Sequence, residues 1–209
     1  MFRNLFNPES HLMVTMTQIT DCIFLSLFWL LGCFPVVTAG ASFAALYDAS
    51  FRTFRQGEKN SWQRFFHVFR ENWKEGIVPT AVFLVLLGGD LWCVIQAWNA
   101  AVAGVASWML FSGVTLVAVL VLGILSVLFP VLSRFENSLS GLLRNTVLLA
   151  LGNLPRTLLL GMLNALTIYL CVRFVIPLFF LPSLTALLGS LLIEPMFRPF
   201  LNQEEDAAA

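Results

Sequence analysis

"LLGCFPVVTAGASFAALYDASFR", residues 30–52, decides how the first part of the chain is read. It begins like the interior of a membrane helix. It then sets Pro35, Thr38 and Gly40 into the apolar run and ends in Asp48 and Arg52. Proline removes a backbone donor and clashes with the preceding turn, so it kinks or ends a helix. Thr38 can cap a new helix start. Beyond it, Phe43, Leu46 or Tyr47, Phe51 and Phe54 recur at helical spacing, while Asp48, Arg52 and Arg55 take other faces. The pattern predicts a span that bends at Pro35–Thr38 and continues over 39–55 as an amphipathic helix along the membrane interface. Gly40, Ala41, Ala44 and Ala45 form small-xxx-small pairs, which let a second helix approach closely.

The rest of the chain fits a bilayer. It has 209 residues, 58% hydrophobic and 11% charged, against about 25% charged in ordinary soluble domains. Cys22 to Tyr47, Leu91 to Ser133 and Phe174 to Ile193 carry no formal charge. A spanning helix needs about 20 apolar residues. The reading is an all-α, polytopic membrane helical bundle in one domain, residues 1–209, with the lipid bilayer as its first partner. Five spans are expected, near 17–38, 77–98, 106–129, 157–172 and 174–193. A cleaved signal peptide is not expected, because Glu9 and Asp21 precede or enter the first run and only Arg3 and His11 supply a basic start. Zero net charge leaves no nucleic-acid footprint. Cys22, Cys33, Cys93 and Cys171 lie inside apolar runs with no CxxC pair, and read as small hydrophobes.

Basic residues set the expected orientation. Arg52, Arg55, Lys59, Arg64, Arg70, Lys74, Arg134, Arg144, Arg156 and Arg198 fall on one side, and only Arg3 and Arg173 on the other. The N-terminus is therefore expected outside and the C-terminus in the cytoplasm. Two more segments read as cytoplasmic-side helices. "WQRFFHVFRENWK" (62–74, a helix near 62–75) puts Trp62, Phe65, Phe66, Phe69 and Trp73 on one face, with Arg64, His67, Glu71 and Lys74 largely on the other. "SLSGLLRNTVLLALGNLP" (138–155, a helix near 138–153) is too short to span and is either interfacial or re-entrant; for both segments the favoured alternative is a helix that simply packs under the bundle. "FPVLS", Phe129–Ser133, echoes "FPVVT", Phe34–Thr38, and each precedes an amphipathic segment and a proline-marked span start, at Pro79 and at Pro155. A parallel repeat would explain the echo; so would convergence, since prolines favour helix starts.

Three stretches, "CFPVVTAGASFAALYDASFR", "WQRFFHVFRENWKEG" and "SRFENSLSGLLRNTVLLALGNLPRTLLL", carry a resemblance to the YesL family of bacterial membrane proteins. The shared pattern is P-hydrophobic-hydrophobic-T-x-G-A at the end of the first span, then F-x-x-F-[RK]-x-N-x-[KR]. It closes with R-F-x-N…L-[RK]-N-x-x-x-x-A-x-x-x-[LH]-P. It runs over roughly residues 1 to 165, and the last span matches in hydrophobicity alone. The resemblance implies a multi-pass protein of the bacterial inner membrane, linked to carbohydrate use, with sugar-importer subunits as partners. It brings no catalytic or binding residues.

For chemistry, HExxH, GxSxG, a P-loop and paired intramembrane aspartates are all missing, and neither His11 nor His67 sits in a nucleophile motif. No cofactor or metal is expected, and the reading is a non-enzyme. Charges near the bilayer centre cost at least about 2.5–3.5 kcal/mol, so Asp21, Asp90 and Arg173 stand out, all at a similar expected outer depth. They form a polar site for a sugar-like or cationic ligand or a structural ion pair, or Arg173 snorkels to the headgroups. Glu194 and Arg198, four apart, suffice for each other. Arg64, Phe66, His67, Phe69, Arg70 and Trp73 form the expected cytoplasmic docking face, and Pro35, Thr38, Gly40 and Pro130 the kink and packing positions. Two function classes follow: an accessory protein beside a sugar importer, or a small transporter or channel for a sugar-like or cationic solute. The transporter needs a polar path, and span three offers only Ser112, Thr115 and Ser126 beyond Ser107 at its edge. A homo-oligomer is compatible with either.

Overall fold

In the computed structural model the described residues are 11–58, 60–104, 107–134 and 139–208; no side chain is described for 11–15, 134, 139–140 and 198–208. They form eight α-helices and, among the described residues, no strand. Helix α1 is His11–Cys33, α2 Ala39–Phe51, α3 Ser61–Asn72 and α4 Ile77–Val102. Helix α5 is Trp108–Arg134, α6 Leu139–Gly152, α7 Leu154–Arg173 and α8 Leu181–Ala208. Four are long and apolar enough to cross a bilayer: α1 from Met16, α4, α5 to Ser133 and α7. The membrane bundle read from composition is what the chain forms.

The chain breaks where Pro35 stands, but the next helix goes elsewhere than expected. Thr38 Oγ1 donates to the Gly32 carbonyl (2.6 Å), and a short 3-10 turn, Val36–Thr38, reverses the chain. Helix α2 then runs back along α1. Trp29 meets Phe43 with ring centroids 5.2 Å apart, Leu25 clusters with Ala45 and Ala49, and Asp21 lies beside Ser61 beyond the end of α2. The interfacial placement of 39–55 is thus corrected. From Gly40 to Phe51 every residue except Phe43 is buried, in the middle of a bundle formed by α1, α3, α5 and α8. The tiny residues make this entry feasible. A Cβ at Gly40 would meet the Thr80 hydroxyl, the Phe129 ring and the Gly76 carbonyl oxygen. Helix α2 ends in a π-helical turn, Arg52–Gln56, closed by Gly57 at φ 73°.

Helix α3 returns along α1, with Phe65 and Phe66 against Phe28 and Phe69 near Gly32. Helices α4 and α5 form a hairpin capped by Trp98, Trp108 and Phe111, whose rings lie 5.5–6.1 Å apart. Helix α4 runs to Val102, four residues past the expected end of its span, and α5 starts at Trp108; residues 105 and 106 lie outside the described residues. Helix α5 is central. It packs on α2, α4, α6 and α7, and its inner stretch Val127–Leu132 joins Tyr47, Leu142, Leu149, Ile193 and Phe197 in the main core. Helix α7 presses on α5 backbone to backbone: a Cβ at Gly161 would collide with the Val119 carbonyl oxygen, and one at Gly123 with that of Thr157.

The fifth span is displaced. Residues 174–193 are not one helix: Phe174 is extended (φ −133°, ψ 133°), Ile176–Phe179 is a 3-10 turn, and α8 starts at Leu181. Pro177 and Pro182 explain this, because the residue before a proline is pushed out of helical conformation and proline suits a first helical turn. The apolar part of α8, Leu181–Phe197, is 17 residues long. Helix α6 occupies the expected 138–153 segment from Leu139 onward and packs beneath α5 and α7 with Leu142, Thr146 and Leu149 buried.

Candidate functional site

The buried polar side chains gather around α2. Asp48, 1% exposed, sits between two arginines: Arg52 Nε donates to one carboxylate oxygen at 3.2 Å and Arg64 Nε to the other at 2.5 Å. Arg52 lies one turn along α2, and Arg64 comes from α3, so the carboxylate ties the returning helix to the central one. The sequence reading placed Asp48, Arg52 and Arg55 on faces away from the core. The signal that could have corrected it is Asp48 itself, the only charge between Cys22 and Phe51, with a partner four residues on.

A second polar seam runs between α2, α8 and α1. Ser183 bridges the three: its backbone N–H donates to Ser26 Oγ (3.2 Å) and its hydroxyl pairs with that of Ser50 (3.4 Å), with all three residues fully buried. Further along, Tyr47 donates to Glu194 (3.2 Å) and Arg55 reaches the Ser190 carbonyl (3.5 Å). Thr167 and Thr185 pair at 2.7 Å between α7 and α8. Within a bilayer such groups need protein partners, and these have them. Thr53 Oγ1 and the Trp29 ring N–H are buried without one among the described residues.

The expected outer cluster does not assemble. Asp21 accepts from Ser61 Oγ at 2.8 Å. Asp90 stands midway along α4, half-buried, while Arg173 is exposed at the very end of α7. Both helices pack on α5. The similar depth expected for them is corrected too: twelve residues separate Asp90 from Val102, about 18 Å at 1.5 Å per residue. Neither Asp90 nor Arg173 has an ion pair among the described residues.

The docking face on α3 is divided. Phe66, His67, Arg70 and Trp73 are exposed, with Trp62 beside them. His67 Nδ1 and Glu71 form an exposed pair at 3.1 Å. Arg64 turns inward to Asp48, and Phe69 is half-buried, stacked on Phe65. The buried face is Ser61, Phe65, Val68 and Asn72, rather than the full aromatic row. Trp62, Gln63, Phe66, His67, Arg70 and Glu71 line a shallow depression of about 500 Å³. Of the kink positions, Pro35, Thr38 and Gly40 make the reversal, and Pro130 lies inside a continuous α5. The side chain of Arg198, paired with Glu194 in the sequence reading, lies outside the described residues, as does Lys59. Among the described residues no three His, Cys, Asp or Glu side chains converge as a metal site requires.

Residues 22–95, less than half of the chain, match DUF624, a protein family of unknown function. The match spans the α1–α2–α3 hairpins and most of α4, and so contains the Asp48 cluster. No curated protein matches the chain, and no solved structure does.

Proposed function

We propose that this chain is a non-enzymatic accessory protein of the bacterial inner membrane that serves carbohydrate uptake beside an importer. Its similarity to the YesL family suggests that setting, and the similarity to DUF624 over 22–95 overlaps it. In this reading the end of the bundle where α1, α3 and α5 finish and α4 and α7 begin faces the cytoplasm. It carries Arg70, Lys74, Arg144 and Arg156; because α2 runs back along α1, Arg52 and Arg55 at its close lie toward the opposite end with Arg173, so the basic bias is weaker than the sequence alone suggests.

The observation that supports docking is the outward side of α3. Trp62, Phe66 and Trp73 are 44–52% exposed on a helix whose other side is anchored by Phe65 and Val68. Aromatic side chains with an arginine among them are what protein interfaces favour. A photo-crosslinking residue at Phe66, in native membranes, should capture an importer subunit. A Phe66→Ala, Trp73→Ala double variant, present at wild-type level, should slow sugar uptake by intact cells. Uptake that is unchanged both in that variant and in a strain lacking the protein would overturn the proposal.

The hydroxyl seam of Ser26, Ser50, Ser183 and Thr185 favours a second reading, a small transporter or channel for a sugar-like or cationic solute. Its groups bond one another, which closes rather than opens a path. Sugar or cation flux into vesicles containing only the purified protein would select this reading over docking.

A further inference from the structure

Asp48 does more than cancel a charge. It is a single carboxylate, almost wholly enclosed, and both of its oxygens are taken by arginine Nε groups. One negative charge therefore holds two positive ones, and the cluster keeps a net positive charge. The Nε bonds fix the orientation of each guanidinium and use one of its five N–H donors. Among the described residues neither the Arg52 nor the Arg64 side chain makes another hydrogen bond. Their side chains remain 35% and 25% exposed while the carboxylate stays buried.

A clamp between α2 and α3 would need only Arg64. Arg52, on the same helix as Asp48, ties nothing across; what it adds is a second oriented fork. Arg55, exposed one turn further on, raises the local positive potential. Glu58, the nearest acid in the loop that follows, is exposed and pairs with neither arginine. Two planar, fixed guanidinium groups around one point suit a tetrahedral oxyanion, which each can grip through paired N–H donors.

We propose that Arg52 and Arg64, held in place by Asp48, form a binding site for a phosphate-class oxyanion. The phosphate could belong to a lipid headgroup or to a soluble phosphate ester. Trp62, exposed two residues before Arg64 and next to the Ser61–Asp21 contact, would sit equally well among headgroups. The test uses the full chain purified in a zwitterionic detergent and follows thermal unfolding. One arm adds inorganic phosphate against chloride at equal ionic strength. The other compares phosphatidylcholine nanodiscs with and without phosphatidic acid.

A raised melting temperature in the phosphate arm assigns a soluble ligand; a rise confined to phosphatidic acid assigns a headgroup. In either case Arg52→Lys should keep the wild-type melting temperature without ligand, because the ammonium still pairs with Asp48. It should bind about tenfold more weakly, the equivalent of one charge-assisted hydrogen bond. Arg64→Lys should weaken binding likewise. If that variant fails to fold, Arg52→Lys decides the matter, since it leaves the α2–α3 tie intact. No shift in either arm, or an equal shift in wild type and Arg52→Lys, would overturn the site.

Discussion

Phe34–Thr38 and Phe129–Ser133 read FPVVT and FPVLS, nearly the same five residues, and the chain does opposite things with them. At the first, helix α1 stops at Cys33, Pro35 is extended, and α2 doubles back. At the second, α5 runs through Pro130 to Arg134. The phenylalanines record the difference: Phe34 is 90% exposed, Phe129 3%. Proline lacks a backbone donor in both places. What decides is the company. Gly32 lies just before the first break and Ala39-Gly40-Ala41 just after it, so the chain can fold tightly upon itself, with Thr38 Oγ1 satisfying the Gly32 carbonyl. Around Pro130 stand Val127, Leu128, Phe129, Val131 and Leu132, all buried against α2, α6 and α8, and packing holds the helix together across the missing bond. A proline offers a break; its neighbours accept or refuse it.

If small residues make the reversal feasible, enlarging one should undo it. Gly40→Val would push into Thr80, Phe129 and the Gly76 carbonyl, and disturb the 3.0 Å bond from the Gly40 N–H to Thr80 Oγ1. The expected loss is about 4 kcal/mol or more, seen as unfolding or failure to accumulate in the membrane. Gly113→Val, in open space on α5, should stay within about 0.5 kcal/mol of wild type. A tolerated Gly40→Val would mean that α2 is not packed as described.

The two phenylalanines should separate next. Phe129 stacks on Phe43 at 5.2 Å and lies 5.0 Å from Phe83, so Phe129→Ala leaves a cavity at the junction of three helices. About 3 kcal/mol is expected, the lower end for such a change, because exchange from lipid gains packing rather than hydrophobic transfer. Phe34→Ala should cost almost nothing. Both are measurable by denaturation in mixed micelles with SDS, and equal losses would erase the contrast.

The helices themselves could be read from the sequence because long uncharged runs leave little choice within a bilayer, and α4, α5 and α7 lie close to where those runs predict. Direction was harder. Helix α2 carries Asp48, and an amphipathic reading sent that charge outward. Nothing local says that Arg64, sixteen residues on, will meet it. The same blindness built the outer cluster: Asp90 and Arg173 looked level when counted from expected span ends, yet α4 runs on to Val102 past Asp90 while Arg173 ends α7. Periodicity reports which residues share a face. Whether that face meets lipid, water or another helix depends on contacts made far along the chain.

The smallest expected effect is the most telling, because it changes sign between the two sites. Pro130 cannot donate to the Ser126 carbonyl one turn back, within the bilayer portion of α5 where backbone groups need partners. Packing keeps the helix in place, so Pro130→Ala should slot into an existing helical geometry and regain that donor. About 1 kcal/mol of stabilisation is expected, a fraction of the roughly 3 kcal/mol that a helix-interior proline costs. Pro35 stands outside α1, at φ −80°, before a turn whose hydrogen bonds come from Thr38 rather than from residue 35. Alanine there gains no helical bond in the folded state and loosens the unfolded chain, so about 0.4–1 kcal/mol should be lost. Denaturation of both variants in the same micelles gives the answer. If Pro35→Ala also stabilised the protein, α1 would be extending into the turn, and the proline, not its small neighbours, would be what holds the reversal open.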